Sequence, residues 1–153
     1  MSLVREKMTR KVAYVLESDD LVGAHAAMKV LGVHHVPVTR DGVVVGILSD
    51  RDILIHSHKR GELLLVPERL RVKDVMTSPV VTCREGTTIR ETANLLLEHQ
   101  IHSLPVVDSE GFLLGIITSS DLIRLLSDKG GKAVDEPLPF LYEQPSPLAI
   151  MFD

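Results

Sequence analysis

Apolar and polar residues along this chain follow two different periods, and these periods predict strands and helices in a fixed order. Short runs rich in Val and Ile predict strands, whereas apolar residues that recur every three or four positions are typical of a helix with one buried face. In the first half of the chain the order is strand, helix, strand, strand, helix. The segments are 12–16, 21–31, 35–39, 43–49 and 50 to about 58.

The same order repeats in the second half, and the two halves align residue by residue. Residues 4–9 match residues 72–77 at an offset of 68, and one extra turn residue then shifts the offset to 69. A repeat this regular has to be considered before any other interpretation of the fold. The second set of segments is 80–83, a helix that begins after Thr88, 103–107, 112–118 and a helix that ends near 127.

The duplication predicts an α+β fold, in the sense of a mixed α/β protein with two β-α-β-β-α copies. A copy of about 60 residues buries too little apolar surface to be stable alone, so we expect the copies to pack as an intramolecular pseudo-two-fold pair. The third strand of each copy is nearly all apolar, so we expect both its faces to be buried. Pro37 and Pro105 suggest an edge strand or a strand start.

The expected boundaries are 4–58 for the first copy, 59–71 for a connector, 72–127 for the second copy and 128–153 for a tail. The apolar connector residues 63–66 are expected to be buried. The tail carries Pro137, Pro139, Pro145 and Pro147 among apolar residues and cannot form a regular helix. We expect it to dock on this protein or on a partner.

A strand-to-helix corner occurs at the same place in both copies and is the best candidate for a binding site. Its sequence is Gly-Ile-Leu-Ser-Asp-Arg-Asp at 46–52 and Gly-Ile-Ile-Thr-Ser-Ser-Asp at 115–121. Ser49 or Thr118 stands at the N-cap, and an aspartate follows in the first turn, where the helix dipole favours negative charge. Such a corner can hold a phosphate at the helix N-terminus and ribose hydroxyls on the carboxylate. The alternative is an ordinary capping box.

Composition narrows the range of functions. The chain has 153 residues, 44% of them hydrophobic, and a formal charge of −4, which argues against a nucleic-acid surface. The one cysteine, Cys83, fits a reducing compartment, and no signal peptide or apolar run of membrane-spanning length is apparent. We therefore expect a cytoplasmic protein that binds neither nucleic acid nor membrane.

Chemistry-bearing residues outside the corners favour no catalytic or metal site. The histidine pairs His56 and His58, and His99 and His102, do not supply the three or four convergent ligands that zinc needs. Cys83 has no base near it in sequence. We expect no enzymatic activity, no metal and no cofactor.

The repeat resembles a tandem cystathionine-β-synthase (CBS) domain pair, also called a Bateman module. Four elements carry the resemblance: Met-Thr at 8–9 and 76–77, His-His-Val-Pro-Val at 34–38, Ile-His-Ser-Leu-Pro-Val-Val-Asp at 101–108, and the two corners. It covers roughly residues 4 to 127. The resemblance implies a regulatory module without catalysis, which binds adenosine-containing ligands such as AMP, ADP, ATP, S-adenosylmethionine or a dinucleotide in two clefts between the copies. It also implies flat dimers of such pairs.

The resemblance assigns ligand-binding roles position by position. Asp52 and Asp121 match the residues that hold ribose, and Ser49 and Thr118 match those that face phosphate. The runs before each proline match the lining of the adenine and phosphate sites. The remaining assigned residues are Tyr14, Thr82, Val33, His34, His35, Ile101, His102 and Ser103.

The two corners differ in charge, and this difference suggests different ligands. His34, His35 and Arg51 are expected around the first corner, where Arg51 can pair with a longer phosphate chain. The second corner is expected to prefer a less charged ligand, such as AMP or S-adenosylmethionine. Tyr14 is bulkier than its counterpart Thr82 and would stack on a base or plug the cleft.

The sequence therefore predicts a standalone CBS pair that senses an adenosine-containing ligand. It would form a homodimer and transmit ligand occupancy to another chain. The alternative is a ligand-free scaffold that dimerises and presents its surface or its tail to a partner.

Overall fold

The computed structural model describes residues 2–127 and 148–151 and shows two similar halves. The helices are α1 (Val4–Lys7), α2 (Leu21–Leu31), α3 (Asp50–Ile55), α4 (Val72–Val75), α5 (Ile89–His99) and α6 (Ser119–Ser127). The strands are β1 (Val12–Leu16), β2 (His35–Arg40), β3 (Val43–Ser49), β4 (His58–Arg60), β5 (Leu63–Leu65), β6 (Ser103–Val107), β7 (Leu113–Thr118) and β8 (Leu148–Met151).

Each half is built around a sheet with helices packed on it. In the first half the strand order is β3-β2-β1-β8, with β2 antiparallel to β3 and parallel to β1. In the second half β6 and β7 form an antiparallel pair. Each sheet covers its own hydrophobic cluster, one centred on Leu21, Met28 and Leu48, the other on Leu104 and Ile117. The mixed α/β architecture predicted from the repeat is confirmed.

The segments 4–9 and 72–77, called here the crossing segments, pack against the opposite half of the molecule. Val4 is fully buried in the second cluster, and Val72 is fully buried in the first. The backbone bonds are reciprocal: the Val4 N–H donates to the Thr87 carbonyl at 2.8 Å, and the Val72 N–H donates to the Asp19 carbonyl at 2.9 Å. Each half therefore completes its core with a segment from the other.

The hairpin tips of the two halves also meet. The Val44 N–H donates to the Gly111 carbonyl at 3.0 Å, and the Leu113 N–H donates to the Gly42 carbonyl at 3.2 Å. Both glycines have positive φ, a conformation that L side chains rarely adopt. These bonds and the crossing segments join the halves along the pseudo-two-fold axis.

Three expectations about strands need correction. The predicted strand 80–83 is reduced to a single parallel bridge between Cys83 and Val106 of β6, because only Cys83 exchanges backbone hydrogen bonds with that strand. Pro37 lies in the central strand β2 rather than at an edge, one residue before β2 begins to pair with β1, whereas Pro105 lies in the two-stranded β6–β7 sheet, where each strand is an edge, as expected. β3 is not buried on both faces: Leu48 is fully buried, whereas Val43 to Val45 are only half-buried.

The connector forms a hairpin of β4 and β5 rather than a buried segment. Leu63 and Leu65 are 67% and 47% exposed, contrary to the expectation for residues 63–66. Gly61 supplies the positive φ of the turn, and Val66 and Leu70 are the connector residues that pack on the first cluster. The predicted helix up to His58 ends at Ile55, because the chain turns into β4 there.

Most of the predicted tail, 128–147 and 152–153, lies outside the described residues. The four described tail residues form β8, which pairs antiparallel with β1, from Val12 opposite Met151 to Val15 opposite Leu148. This part of the tail docks on its own chain.

Candidate functional site

A cleft of about 320 Å³ lies between the two halves and is called here the central cleft. Four stretches line it: the chain entering β1, the start of β2, the start of β6, and the corner between β7 and α6. The lining residues that the argument uses are Thr9, Lys11, His34, His35, His102, Ser103, Thr118, Asp121 and Arg124. The cleft therefore joins the corner of the second half to strand ends of both halves.

The second corner is a capping box whose carboxylate faces this cleft. The Asp121 N–H donates to the Thr118 hydroxyl at 3.2 Å, and the Thr118 N–H donates to Oδ2 of Asp121 at 2.8 Å. The guanidinium of Arg124 lies 3.3 Å from the other oxygen, Oδ1. The Asp121 side chain is only 12% exposed. One carboxylate oxygen is thus held by a backbone N–H, and the other contacts the guanidinium of Arg124.

The first corner has the same cap but a different partner for its aspartate. Ser49 and Asp52 exchange the two capping bonds at 3.1 Å. The Thr77 hydroxyl then donates to Asp52, at 3.2 and 3.3 Å from its two oxygens. A crossing segment therefore closes over the carboxylate of Asp52, whereas Asp121 faces the central cleft.

Three histidines meet in the central cleft and form what we call the imidazole cluster: His34, His35 and His102. Nδ1 of His34 lies 2.5 Å from Oδ2 of Asp50. The pKa of His35 is lowered, mainly by burial and then by the neighbouring His102 and His34, although Asp50 and Asp52 act in the opposite direction. Burial and the neighbouring histidines therefore favour the neutral form of His35 in the absence of a ligand.

Seven of the thirteen residues assigned from the sequence line the central cleft: Val33, His34, His35, His102, Ser103, Thr118 and Asp121. Ser49 and Asp52 lie at the other corner, and Ile101 packs on the second hydrophobic cluster. Thr82 is half-buried beside Cys83.

Tyr14 and Arg51 lie away from the central cleft. Tyr14 lines a second cavity of about 260 Å³, which also contains Glu17 and Arg40. Arg51 is exposed on α3. The charge difference predicted between the corners therefore has to be corrected. Lys11, Arg124 and the imidazole cluster place positive or protonatable groups around Asp121, because the start of β2 faces the corner of the opposite half.

Sequence reasoning missed several lining residues, chiefly Thr9, Lys11, Val12, Ala13 and Arg124. Thr9 had a visible signal, since Met-Thr recurs at 76–77. Arg124 also had one, because a residue three positions after Asp121 lies on the same helix face. Lys11, Val12 and Ala13 had none, because nothing in the sequence places the entry to β1 against the other half.

Cys83, the one cysteine of the chain, is buried outside the cleft. Burial raises the pKa of the Cys83 thiol to about 12, so the nucleophilic thiolate is scarce at neutral pH. Within 2–127 and 148–151, no group of three or more His, Cys, Asp or Glu side chains is arranged to hold a metal ion. In the same part of the chain, no helix combines the length and apolarity needed to cross a membrane.

Comparison with models of known families identifies the family of this chain. A model of the CBS domain matches it twice, at residues 4–59 and 72–128. The chain belongs to the CBS domain family. The resemblance inferred from the Met-Thr, His-Val-Pro-Val and corner motifs is therefore confirmed, and the two halves are CBS repeats.

Individual CBS proteins are similar over most of the chain. The CBS domain-containing protein YhcV of Bacillus subtilis is 32% identical over 136 residues, which are 88% of this chain and 94% of YhcV. The crystal structure of CBSX2 in complex with AMP has a TM-score of 0.70 at 28% identity and covers 83% of this chain and 97% of CBSX2. Hypoxic Response Protein I, crystallised with two coordinated zinc ions, has a TM-score of 0.69 at 26% identity and covers 82% of this chain and 99% of that protein.

Proposed function

We propose that this CBS pair is a regulatory module that binds an adenosine 5′-phosphate, such as AMP, in the central cleft. The observation that carries the proposal is the convergence of Asp121 with a ring of cationic and imidazole side chains in one cleft between the repeats. A carboxylate fixed at a helix start can accept bonds from both ribose hydroxyls, and the cations suit a phosphate. Bound AMP in CBSX2, a CBS protein of similar fold, supports this choice.

The charge of the cleft favours a phosphate-bearing ligand over S-adenosylmethionine. Lys11, Arg124 and the imidazole cluster supply positive or protonatable groups, whereas Asp121 is the carboxylate in the lining. S-adenosylmethionine carries a positive sulfonium where AMP carries a phosphate, so like charges would meet.

Signalling would follow from differential affinity for two arrangements of the repeats. A ligand in the central cleft would contact the start of β2 in the first repeat and the 118–121 corner in the second. It would therefore stabilise the arrangement in which these elements are correctly spaced. A partner that prefers the same arrangement would bind more tightly when the ligand is present, by the same coupling free energy. The partner would be another protein.

We assign the ligand to the Asp121 corner rather than to both corners. Asp52 already accepts the Thr77 hydroxyl on both carboxylate oxygens, and a ribose would have to displace it. Asp121 also has a partner, Arg124, but Asp121 lines the central cleft and Asp52 does not, so the Asp52 corner should be the weaker site.

The alternative is a ligand-free scaffold, and one observation favours it. Both corner aspartates have capping roles that stabilise α3 and α6 without any ligand. Under this alternative, the module would act by dimerising and by presenting its surface to a partner.

Thermal unfolding with AMP, ADP, ATP, S-adenosylmethionine, NADH and adenosine at equal concentration tests the proposal. A ligand at 100 times its dissociation constant stabilises the protein by about 2.7 kcal/mol, which raises Tm by several degrees. We expect the largest shift with AMP. Asp121→Asn should lose most of it, since the amide removes the negative charge and replaces one acceptor oxygen with an NH2 donor, whereas the matched variant Asp52→Asn should keep it.

Two outcomes would contradict the proposal. If no adenosine-containing ligand shifts Tm, the scaffold alternative is favoured. If Asp52→Asn removes the shift and Asp121→Asn does not, the ligand binds at the other corner.

A further inference from the structure

The imidazole cluster combines histidines from both repeats in one cleft. His34 and His35 come from the start of β2, and His102 comes from the residue before β6. His34 is largely exposed and paired with Asp50, whereas His35 is only partly exposed. The cluster therefore contains His34, which pairs with a carboxylate, and His35, which is less accessible to solvent.

Other charged groups face the cluster from each neighbouring element. Negative groups come from α3 and α6, and positive groups come from the entry to β1 and from α6. They are Asp50, Asp52, Asp121, Lys11 and Arg124. Asp50 and Asp52 favour the charged form of His35, whereas positive groups in the cleft oppose it, so these fixed charges partly cancel. A bound anion would add negative charge to the cleft and would therefore favour the protonated form of His35.

We infer that binding of AMP draws a proton onto the imidazole cluster, so that affinity for the nucleotide rises as the pH falls. This inference rests on the proposed function, because it concerns the same cleft. It makes the module responsive to pH and nucleotide together.

The sign follows from the charges. Without ligand, burial and the other two histidines disfavour the charged form of His35, which lowers its pKa. A phosphate dianion in the cleft favours the imidazolium form, so the bound state holds more protons than the free state. By linkage, affinity then increases with falling pH. The pH range for the test lies above about pH 6.5, because the second pKa of a phosphate monoester is near 6 and acid would convert the AMP dianion to the monoanion.

Isothermal titration calorimetry can measure both the affinity and the proton uptake. AMP would be titrated at about pH 8 and about pH 7 in pairs of buffers with different ionisation enthalpies, with EDTA present to exclude metal binding by the histidines. We expect binding to be about 3–10 times tighter per pH unit, with net proton uptake at the lower pH. Adenosine, which lacks the phosphate, should show neither effect.

Two variants test which histidine takes up the proton on AMP binding, and a third variant serves as a control. His35→Gln and His102→Gln keep a polar side chain without a titratable ring, so each should reduce the pH effect on AMP affinity to less than about twofold per unit. His99→Gln changes an exposed histidine at the end of α5 and should leave the effect intact.

The results separate this inference from the proposed function. Tight AMP binding without proton uptake or pH dependence would overturn the inference and leave the proposed function standing. Absence of binding by both AMP and adenosine at either pH would overturn both. Proton uptake that survives in His35→Gln and in His102→Gln would overturn the assignment to the cluster.

Discussion

Gly115 and Gly46 hold equivalent positions in the strands that lead to the two corners, and each lets a crossing segment approach the strand. Thr9 pairs with Ile116, next to Gly115, through two backbone bonds of 2.9 Å. A Cβ added at Gly115 would lie 2.5 Å from the Thr9 carbonyl oxygen, and one at Gly46 would lie 2.7 Å from Sδ of Met76. Because the obstacle at Gly115 is backbone, it cannot rotate away.

Gly115→Ala should therefore destabilise the protein by about 1–3 kcal/mol, the usual cost of overpacking a tight contact. Urea unfolding measures this as a lower midpoint with an unchanged slope. Gly86→Ala is the matched control, because the nearest atom to its added Cβ would be Nη2 of Arg5 at 3.5 Å. A Gly115→Ala protein as stable as Gly86→Ala would show that Thr9 is not held against β7.

The corner residues show how far single positions could be interpreted from the sequence. Asp52 and Asp121 were placed correctly at the first turn of a helix, because capping chemistry is local. Their partners Thr77 and Arg124 were not predicted. Thr77 reaches Asp52 only through the fold, across 25 positions of chain, and local rules do not extend that far.

At the scale of elements, α1 and α4 are short helices that pack against the opposite repeat. A four-residue helix cannot be stable by itself, so its stability comes from the core that it completes. Val4 and Val72 are the fully buried residues at these two places. The hydrophobic pattern predicted two repeats but could not show this exchange, because the same apolar residues would fill either core equally well.

Val4→Ala should loosen the second repeat, although Val4 belongs to the first. The loss of two buried methyl groups costs about 1–3 kcal/mol. Hydrogen–deuterium exchange should then increase mainly in β6 and β7, whereas Val72→Ala should increase it mainly in β1 and β2. Faster exchange of β1 and β2 in Val4→Ala, without a change in β6 and β7, would contradict the crossing.

The other element-level differences also have physical causes. The strand expected at 80–83 has the right composition, but a strand needs a neighbour, and only Cys83 finds one. The connector was expected to be buried because it is apolar. A two-stranded hairpin has two faces. Among the described residues, the face that carries Leu63 and Leu65 remains largely exposed to solvent.

At the scale of the whole molecule, apolar side chains remain exposed at matched places on the last helix of each repeat. Leu54 on α3 and Ile123 on α6 are 46% and 63% exposed, and Leu126 on α6 is 90% exposed. Exposed apolar patches commonly mark interaction surfaces. They support the homodimer predicted from the sequence, which stays a prediction.

Sedimentation velocity should show a dimer in which this surface is buried. Leu126→Glu would place a charge in the interface, and it should shift the protein toward monomer at micromolar concentration. Leu63→Glu, on the exposed connector hairpin, is the control and should leave the sedimentation coefficient unchanged. A wild-type monomer at high concentration would contradict the prediction.

The crossing segments also govern when the protein can fold during its synthesis. Ribosomes release a chain from its N-terminus, and a first domain commonly folds before the next is made. Here the first repeat needs Val72 and Val75, and Val4 needs Leu104 and Ile117. Val4 thus leaves the ribosome well before the partners that hold it, and neither repeat can finish folding until the matching segment of the other has been made.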